Sequence, residues 1–384
     1  MVYDVVVVGG GLAGAALARA LRGSAVALVS KTRPTAPEAA FDTRIYAISP
    51  GNARFLTGLQ AWQRLAAERI TAVHAMRVHG DDGRSLLEFD SLRAGVSELA
   101  WIVEDGCLQN AIWQCLQAQE RLELFDAASF DHLEVGADLA RVFLSDGRIL
   151  ESQLVVGADG ARSRVREQAG LASTASAYGQ TAVVANFSCE LPHRQVAMQW
   201  FRGGPVLALL PLPGNHVSMV WSTGDADAER LRALSPGDLA AEVEAASGQA
   251  LGALSLVTPP REFQLQRLLA ERSTGPRVAL IGDAAHVVHP LAGQGANLGF
   301  HDARELARVL AMREPGRDCG DARLLRRYER ARAQDILAMR VVVDGLFRLF
   351  GARGAAPAWL RNTGMTVVDR VSALKNLLMR QAMN

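Results

Sequence analysis

The sequence predicts an α/β protein in which distant parts of the chain build a parallel sheet, an antiparallel sheet is inserted between them, and the C-terminus is helical. Three observations support this prediction. An apolar run near the N-terminus leads into a glycine-rich turn and a helix, and a second strand–turn–helix pattern surrounds residue 282. Strand-like runs with hairpin signals lie between the two. At 384 residues, the chain can form one large or two medium-sized domains.

The N-terminal element is a buried strand followed by a turn of the phosphate-binding type. Val5–Val8 is a continuous β-branched run, as expected of a parallel strand that is covered on both faces. Gly9, Gly11 and Gly14 follow with GxGxxG spacing, ahead of a helical segment. The first two glycines permit a tight turn close to a pyrophosphate, and the third lets the helix pack on the strand. The segment predicts a Rossmann-like nucleotide-binding unit.

The second strand of this unit ends without the expected acidic residue. Ala25–Val29 is followed by Ser30 and Lys31. A carboxylate at this position normally accepts hydrogen bonds from the ribose hydroxyls of the adenosine half, and a serine hydroxyl cannot match that pairing. This departure does not alter the predicted fold, but it predicts weaker retention of the nucleotide.

The most informative segment is Gly282–Gly299, which follows the apolar strand Val278–Ile281. A strand end delivers Asp283, and a glycine-rich turn then exposes backbone N–H groups at the start of a helix. Such a turn can hold a flavin. Asp283 can accept from a ribitol or ribose hydroxyl, and the helix N-terminus favours the anionic edge of the reduced ring.

Taken together, these segments resemble the class A flavoprotein aromatic monooxygenases, and most closely the ubiquinone-biosynthesis hydroxylases. The resemblance covers roughly residues 2–345 and is most specific at His289–Gly295. The other matching stretches are Phe41–Arg44, Ala47–Ser49, Trp101–Glu104, Leu108–Gln109, Val155–Arg166, Tyr178–Ala182, Gly204–Pro205 and Leu209–Leu212.

The resemblance implies a Rossmann-like FAD-binding domain, non-covalent FAD, and NADH or NADPH as the reductant. Arg44 is expected at the phosphate–ribose region, with Asp42 either orienting it or forming a surface ion pair. Asp159, together with the trailing Ser163, Arg164 and Arg166, is expected to contact flavin and reductant. Gln109 either lies near the flavin or is an exposed helix residue. The full set of cofactor-binding candidates is Gly9, Gly11, Gly14, Arg44, Gln109, Asp159, Asp283, Gly293, Gly295, Ala296 and Asn297.

In the resembled family, reduced FAD reacts with oxygen to give a C4a-hydroperoxyflavin, which hydroxylates an electron-rich ring. The catalytic candidates are therefore His289, Pro290 and Gly293, in the loop expected beside the reactive edge of the flavin. His286 is a second candidate for a polar contact. A histidine in such a loop can equally cap a helix or lie hydrogen-bonded in the core, so both interpretations of the two histidines stay open.

The positions of the motifs predict a discontinuous domain arrangement. Residues 1–72, 96–174 and 268–330 are assigned to the FAD-binding domain, because motifs from both ends of the chain must meet at one ligand. Residues 73–95 and 175–267 are assigned to a substrate domain, and residues 331–384 to a C-terminal helical region. Asp82-Gly83 and Asp146-Gly147 predict hairpins, and strand-like runs between residues 182 and 221 predict an antiparallel sheet.

Composition excludes several classes of partner. A net charge of +1 and the lack of a basic stripe with interleaved aromatic residues argue against nucleic-acid binding. Cys107, Cys115, Cys189 and Cys319 have no metal-binding spacing, which favours reduced thiols, a cytoplasmic location and no metal site. No apolar run approaches the roughly 18 residues of a membrane span.

Peripheral contact with the inner membrane is a further expectation, based on two apolar stripes. The first stripe is expected to pack on the flavin domain, whereas packing and an interfacial helix are equally consistent with the second. The first consists of Ile336, Met339, Val343, Leu346 and Phe350, and the second of Val367, Val371, Leu374 and Leu378, with Lys375 and Arg380 beside it.

The expected reaction is oxygen-dependent hydroxylation of a polyprenyl-phenol precursor of ubiquinone, in contact with other quinone-biosynthesis proteins. Val206–Leu212 and Val217–Trp221 contain no charged residue that could pair with a substrate carboxylate, which favours a neutral, apolar ring. Two alternatives stay open. One is a non-catalytic subunit of a quinone-biosynthesis complex, favoured by Ser30 alone, and the other is a different flavoenzyme such as a polyprenyl reductase. A halogenase is disfavoured because the chain has no Trp-x-Trp pair.

Overall fold

The computed structural model describes residues 1–82, 85–288 and 294–351. The described strands form three sheets, which we number in chain order. The strands are β1 (Val2–Val8), β2 (Val26–Val29), β3 (Ile45–Ile48), β4 (Ile70–Val73), β5 (Ala75–His79), β6 (Leu86–Asp90), β7 (Ala100–Glu104), β8 (Leu122–Phe125), β9 (Phe130–Val135), β10 (Ala140–Leu144), β11 (Ile149–Gly157), β12 (Ser173–Cys189), β13 (Val196–Phe201), β14 (Val206–Leu212), β15 (His216–Gly224), β16 (Leu254–Leu256), β17 (Arg261–Ala270), β18 (Thr274–Gly275), β19 (Val278–Leu280) and β20 (His286–Val287). The helices are α1 (Leu12–Ala20), α2 (Pro50–Gly58), α3 (Ser91–Ala94), α4 (Asp105–Leu116), α5 (Arg164–Gln168), α6 (Asp225–Ala233), α7 (Pro236–Ser247), α8 (Gln294–Ala311) and α9 (Ala322–Gly351).

The first sheet is the predicted parallel sheet. Its parallel strands lie in the order β8-β2-β1-β11-β19, and β9, β10 and β18 extend it by antiparallel pairing. Val5 and Val7 pack against α1, α4 and α8 on one face, whereas Val6 and Val8 belong to the core on the other face. Burial on both faces explains why the strand is an uninterrupted apolar run. The α/β fold class is confirmed.

The second sheet is predominantly antiparallel, as predicted. Its strand order is β20-β17-β12-β15-β14-β13-β5-β6, and only β13 and β5 pair in parallel. Helices α6 and α7 cover one face through Leu231, Leu239 and Val243. The two predicted hairpins are present as β5–β6 and β10–β11.

The sheets relate to the predicted domain limits without testing them. Strands β5 and β6 join the second sheet from an early part of the chain, as the proposed excursion at residues 73–95 requires. Strand β12 begins at Ser173 and β17 extends to Ala270, so both cross the predicted limits at residues 175 and 267. The division into domains stays a prediction.

The last described part of the chain is helical, as predicted for the region after residue 300. Helix α8 packs on α1 and α9, with Phe300, Leu306 and Tyr328 in the core of the first sheet. Within residues 1–82, 85–288 and 294–351, no helix has both the length and the hydropathy needed to cross a bilayer. The second apolar stripe, from Val367 to Leu378, lies outside the described residues.

Candidate active site

The carboxyl ends of four parallel strands meet at one edge of the first sheet. In register, Val8 lies beside Val29 and Gly157, and Gly157 lies beside Leu280. The sheet edge therefore collects the glycine turn, Ser30, the Asp159 turn and the Asp283 turn, although they are far apart in the sequence. In open α/β sheets, ligands bind at this edge.

The glycine turn after β1 combines tight packing with one open position. A Cβ at Gly9, whose φ is +114°, would lie 2.2 Å from the carbonyl oxygen of Ala158, and a Cβ at Gly14 would lie 2.0 Å from that of Gly9. Gly11, by contrast, has no described atom within 4 Å of its Cβ position. It is the N-cap of α1, whose first turn carries no acidic residue and no side-chain cap. The open N–H groups form an anion site suited to a pyrophosphate.

Ser30 lies where the missing carboxylate was expected. The residue is buried, its hydroxyl donates to the carbonyl of Thr32 at 2.8 Å, and a Cβ at Gly10 would lie 2.5 Å from its Oγ. Trp113 on α4 donates its indole N–H to the Gly10 carbonyl at 2.8 Å and so anchors the glycine turn to α4. Sequence reasoning missed Trp113, because nothing local to α4 indicates a partner on the first turn of the chain.

The position of Ser30 leads to a prediction about FAD retention. Ser30→Glu should tighten FAD binding at least several-fold, because a carboxylate at this strand end can accept from the ribose hydroxyls, a hydrogen bond to a charged group contributing roughly 1.5–3 kcal/mol. Lys31→Glu is the matched control, since it adds negative charge at the adjacent exposed position. Dissociation constants would be measured by flavin fluorescence. Weaker binding by Ser30→Glu, with wild-type FAD surviving dialysis, would mean that another group holds the ribose.

Asp159 anchors the second motif. One carboxylate oxygen accepts from the backbone N–H groups of Arg164 and Val165, at 2.8 and 3.2 Å, whereas the buried Oδ1 has no partner among the described residues. An acceptor left over at the sheet edge is consistent with the predicted cofactor contact, which stays a prediction.

The side chains that follow Asp159 are hydrogen-bonded within the protein. The expectation that Ser163, Arg164 and Arg166 favour anion contacts stays a prediction. Ser163 caps α5. The guanidinium groups bond backbone carbonyls: Arg164 those of Phe130 and Asp131, and Arg166 those of Ala161 and Ala284. Arg166 thereby ties the second motif to the third, because Ala284 directly follows Asp283.

Arg44 and Asp283 lie close enough for their charges to interact. No described residue accepts a hydrogen bond from the guanidinium of Arg44, which is an exposed residue. The guanidinium carbon lies 5.9 Å from the centroid of the Tyr46 ring and 6.0 Å from that of the Phe263 ring. Desolvation opposes its charge, but Tyr46, Asp105, Asp283 and Asp42 outweigh that effect and raise the pKa of Arg44. Arg44 therefore stays charged and is suited to contact a phosphate or ribose.

Asp42 orients Arg44 through the backbone. Its carboxylate accepts from the N–H of Arg44 at 2.9 Å and from that of Gly106, in the first turn of α4, at 3.2 Å. Glu104 adds a second anchor by accepting from the Asp42 N–H at 2.6 Å while pairing with Arg69. Of the two predicted interpretations, orientation fits these contacts and a surface ion pair does not.

Asp283 reaches solvent at the strand-end turn, although the surrounding protein displaces much of its water. That desolvation raises the pKa of its carboxyl, against the opposing charges of His286 and Arg44. A hydroxyl donor from a ligand would restore the lost solvation. Its position at the strand end is compatible with the predicted ribitol or ribose contact, which stays a prediction.

Gln109 is linked to Arg44 through Asp105. Its amide donates to both carboxylate oxygens of Asp105, at 2.9 and 3.0 Å. Burial raises the pKa of Asp105, which is also coupled to Arg44 and Tyr46. The half-buried Gln109 is therefore not the exposed helix residue of the alternative interpretation, and Asp105 is a site residue that sequence reasoning missed.

At the start of α8, two candidates remain open to a ligand and the third is occupied by protein groups. A Cβ at Gly295 would meet no described atom within 4 Å, and Ala296 is half-buried. The Asn297 side chain accepts from Ser49 and Asn52, at 3.0 and 2.8 Å, and donates to Ala47 at 2.8 Å. It thus joins α8 to β3 and α2, so a cofactor contact by Asn297 would have to use its backbone.

His286 is buried and hydrogen-bonded, as the core interpretation expects. Its Nε2 lies 2.7 Å from Asp302, and the side chain is 3% exposed. His289, Pro290 and Gly293 lie outside the described residues. No group of three metal-ligating side chains occurs in the described ranges.

These features fit a flavin dinucleotide: an open helix N-terminus and a solvent-facing acid at the carboxyl ends of the parallel strands, and a cation, Arg44, whose charge interacts with that acid. The amino-acid sequence matches the FAD-binding domain family over residues 2–342. The chain belongs to this family. The predicted family and the predicted FAD cofactor are thereby confirmed, whereas the individual site residues stay predictions.

Similar proteins extend over almost the whole chain. Ubiquinone hydroxylase UbiL of Rhodospirillum rubrum is 37% identical, with 100% of this chain and 90% of that protein covered. The 3-demethoxyubiquinol 3-hydroxylase of Escherichia coli is 33% identical over 99% of this chain and 98% of that protein. The crystal structure of PqsL, a probable FAD-dependent monooxygenase from Pseudomonas aeruginosa, matches with a TM-score of 0.79 at 22% identity, covering 96% of this chain and 100% of PqsL. The last comparison supports the fold.

Proposed function

We propose that the chain is an FAD-dependent monooxygenase that hydroxylates the aromatic ring of a polyprenylated ubiquinone precursor. The observation that carries the proposal is the convergence of the open turn at Gly11 with the Asp283 turn at the carboxyl ends of the parallel strands, with Arg44 close enough to Asp283 for their charges to interact. Relatives named as a ubiquinone hydroxylase and a 3-demethoxyubiquinol 3-hydroxylase match nearly end to end and support the same reaction class.

The described residues divide the work of holding FAD. The N–H groups at the start of α1 would bind the pyrophosphate, Arg44 the phosphate–ribose region, and Asp283 a ribitol or ribose hydroxyl. Gly295 and Ala296 would offer backbone donors to the ring edge from the positive end of α8. Bound FAD, once reduced by NADH or NADPH, supplies the oxygen chemistry. His289, Pro290 and Gly293 lie outside the described residues, and we propose them as the catalytic residues on the resemblance alone.

Only one face of β14 and β15 can line a substrate site. Because side chains alternate along a strand, Leu207, Leu209 and Met219 are fully buried beneath α6 and α7. The opposite face presents Ala208 and Val220, which are register partners. This face points toward the segment before β3 that carries Asp42 and Arg44, since Asn186, on the same face of β12, donates to the Asp42 carbonyl at 3.0 Å.

The face of the second sheet that carries Ala208 and Val220 favours a neutral substrate ring. Its central strand residues are Val184, Ala208, Leu210 and Val220, none of which carries a charge. Small apolar side chains form a smooth wall against an aromatic ring, and they help to exclude water from the reacting atoms. A substrate carboxylate would find no cation among these four residues.

Complementation tests the function and identifies the ring position. The gene would be introduced into strains that are each blocked at one ring-hydroxylation step, and quinone intermediates would be analysed. Rescue of at least one strain, with the matching hydroxylated product, is expected. A yellow purified protein without rescue would favour another flavoenzyme such as a polyprenyl reductase, and a colourless one would favour a non-catalytic subunit.

We also propose peripheral contact with the inner membrane through residues 331–384, where the polyprenyl substrate would be delivered. An amphipathic helix in this region could lie at the bilayer surface. Truncation after Arg361 should reduce co-sedimentation with liposomes while FAD content is retained. Equal sedimentation of truncated and full-length protein would contradict this role.

A further inference from the structure

A buried carboxylate lies directly behind the Asp283 turn. Asp302 on α8 has no exposed surface and accepts from the backbone N–H of Gly282 at 2.8 Å. The same oxygen lies 2.7 Å from His286 Nε2, and the other oxygen accepts from Arg332 Nε on α9 at 2.7 Å. One side chain therefore joins the cofactor turn, strand β20, α8 and α9.

The charges in this cluster depend on one another. The side chains of His286 and Arg332 are each 3% exposed, and a buried carboxylate is tolerated only when it is paired and hydrogen-bonded. Burial alone would raise the pKa of Asp302, but His286 and Arg332 outweigh that effect and lower it. Asp302 likewise outweighs the burial of His286 and raises its pKa. His286 and Arg332 thus together keep the Asp302 carboxylate ionised, and Arg332 is the partner that cannot lose its proton.

The backbone held by Asp302 has little freedom of its own. Gly282 has a φ of +59°, directly before Asp283, and a Cβ there would lie 3.3 Å from that of Ala13 on α1. A Cβ at Gly299 on α8 would lie equally close to that of Ala13, at 3.2 Å. The turn is enclosed between α1 and α8, and its N–H at Gly282 is fixed by Asp302. A shift of Asp302 would therefore be transmitted to the carboxylate of Asp283.

We infer that Asp302 and Arg332 are positioning residues for FAD, and that α9 supports the cofactor site through this buried ion pair. Neither residue needs to touch the cofactor, since they act through Gly282 and Asp283. The inference rests on the proposed role of Asp283 at FAD. It assigns a function to the first part of α9, which none of the cofactor motifs includes.

Arg332→Met tests the inference, with Arg277→Met as the matched control. Arg277 also pairs with an aspartate, Asp318, at 2.7 Å, and it precedes the same strand β19 whose far end leads to Gly282. Both variants remove a cation from a carboxylate, but only Arg332→Met does so behind the cofactor turn. Urea unfolding of each apoprotein, FAD dissociation constants and the visible circular dichroism of bound FAD would be measured.

Arg332→Met should raise the FAD dissociation constant at least about tenfold more than Arg277→Met and change the circular dichroism of bound FAD. Arg332→Lys, which restores a cation, should recover part of the affinity and serves as the test if the methionine variant does not fold. Equal FAD affinity and spectra for the Arg332 variants and the control would overturn the inference. Failure of the wild-type protein to bind FAD would instead overturn the proposed function.

Discussion

Gly11→Ala should weaken FAD binding at least about tenfold, corresponding to roughly 1.4 kcal/mol, without destabilising the apoprotein. No described atom lies within 4 Å of the added Cβ, and the φ of −68° suits alanine, so the protein itself has room for the methyl group. The methyl group would occupy the space in front of α1 that we assign to the pyrophosphate. Flavin fluorescence titration and thermal unfolding of the apoprotein measure the two effects separately.

Two further glycine variants serve as comparisons for Gly11→Ala. Gly9→Ala should destabilise the fold itself, because its Cβ would lie 2.2 Å from the Ala158 carbonyl oxygen at a φ of +114°. Gly58→Ala, at the end of α2, also meets open space but lies away from the turn, so FAD affinity should stay at the wild-type value. If Gly11→Ala retained full FAD affinity, the pyrophosphate could not lie against α1 as we propose.

Asp283→Ala should yield a folded protein that retains FAD poorly. The substitution removes a charge-assisted hydrogen bond worth roughly 1.5–3 kcal/mol, so the dissociation constant should rise by about ten- to a hundredfold. Because Asp283 is solvent-exposed, the apoprotein should lose little stability. Flavin content after gel filtration and equilibrium titration would be compared with those of the wild-type protein.

Asp227→Ala is the control for this experiment, since Asp227 is an exposed aspartate in the first turn of α6 on the second sheet. It should bind FAD as the wild-type protein does. Asp283→Asn keeps an acceptor but loses the charge, and we expect an intermediate affinity. Wild-type FAD content in Asp283→Ala would remove Asp283 from the site.

Local patterns predicted the elements and their shared edge well. The β-branched run Val5–Val8 and the apolar run at Val278–Ile281 belong to one parallel sheet, where their strands flank β11 on opposite sides. Burial on both faces leaves a continuous apolar signal in the sequence, and a positive φ or a close approach leaves a glycine. These constraints act within a few residues and can therefore be read locally.

Side-chain partners at long range were not predictable in this way. Asn297 has the spacing of a cofactor-loop residue, yet its amide joins Ser49 and Asn52 in the tertiary structure. Trp113 donates to the Gly10 carbonyl in the glycine turn, whereas Arg332 bonds Asp302, which in turn accepts from the Gly282 N–H. The choice of partner depends on how the helices pack on the sheet, which no local pattern specifies.

The central claim is most directly tested by following isotopically labelled oxygen. Enzyme loaded with FAD and reduced by NADH or NADPH would be supplied with labelled oxygen and a polyprenyl-phenol, with Asp283→Ala as the parallel variant. We predict labelled oxygen in the aromatic ring of the product, and much less in the variant at limiting FAD. Peroxide release without labelled product from any ubiquinone precursor would contradict the assignment as a ring hydroxylase.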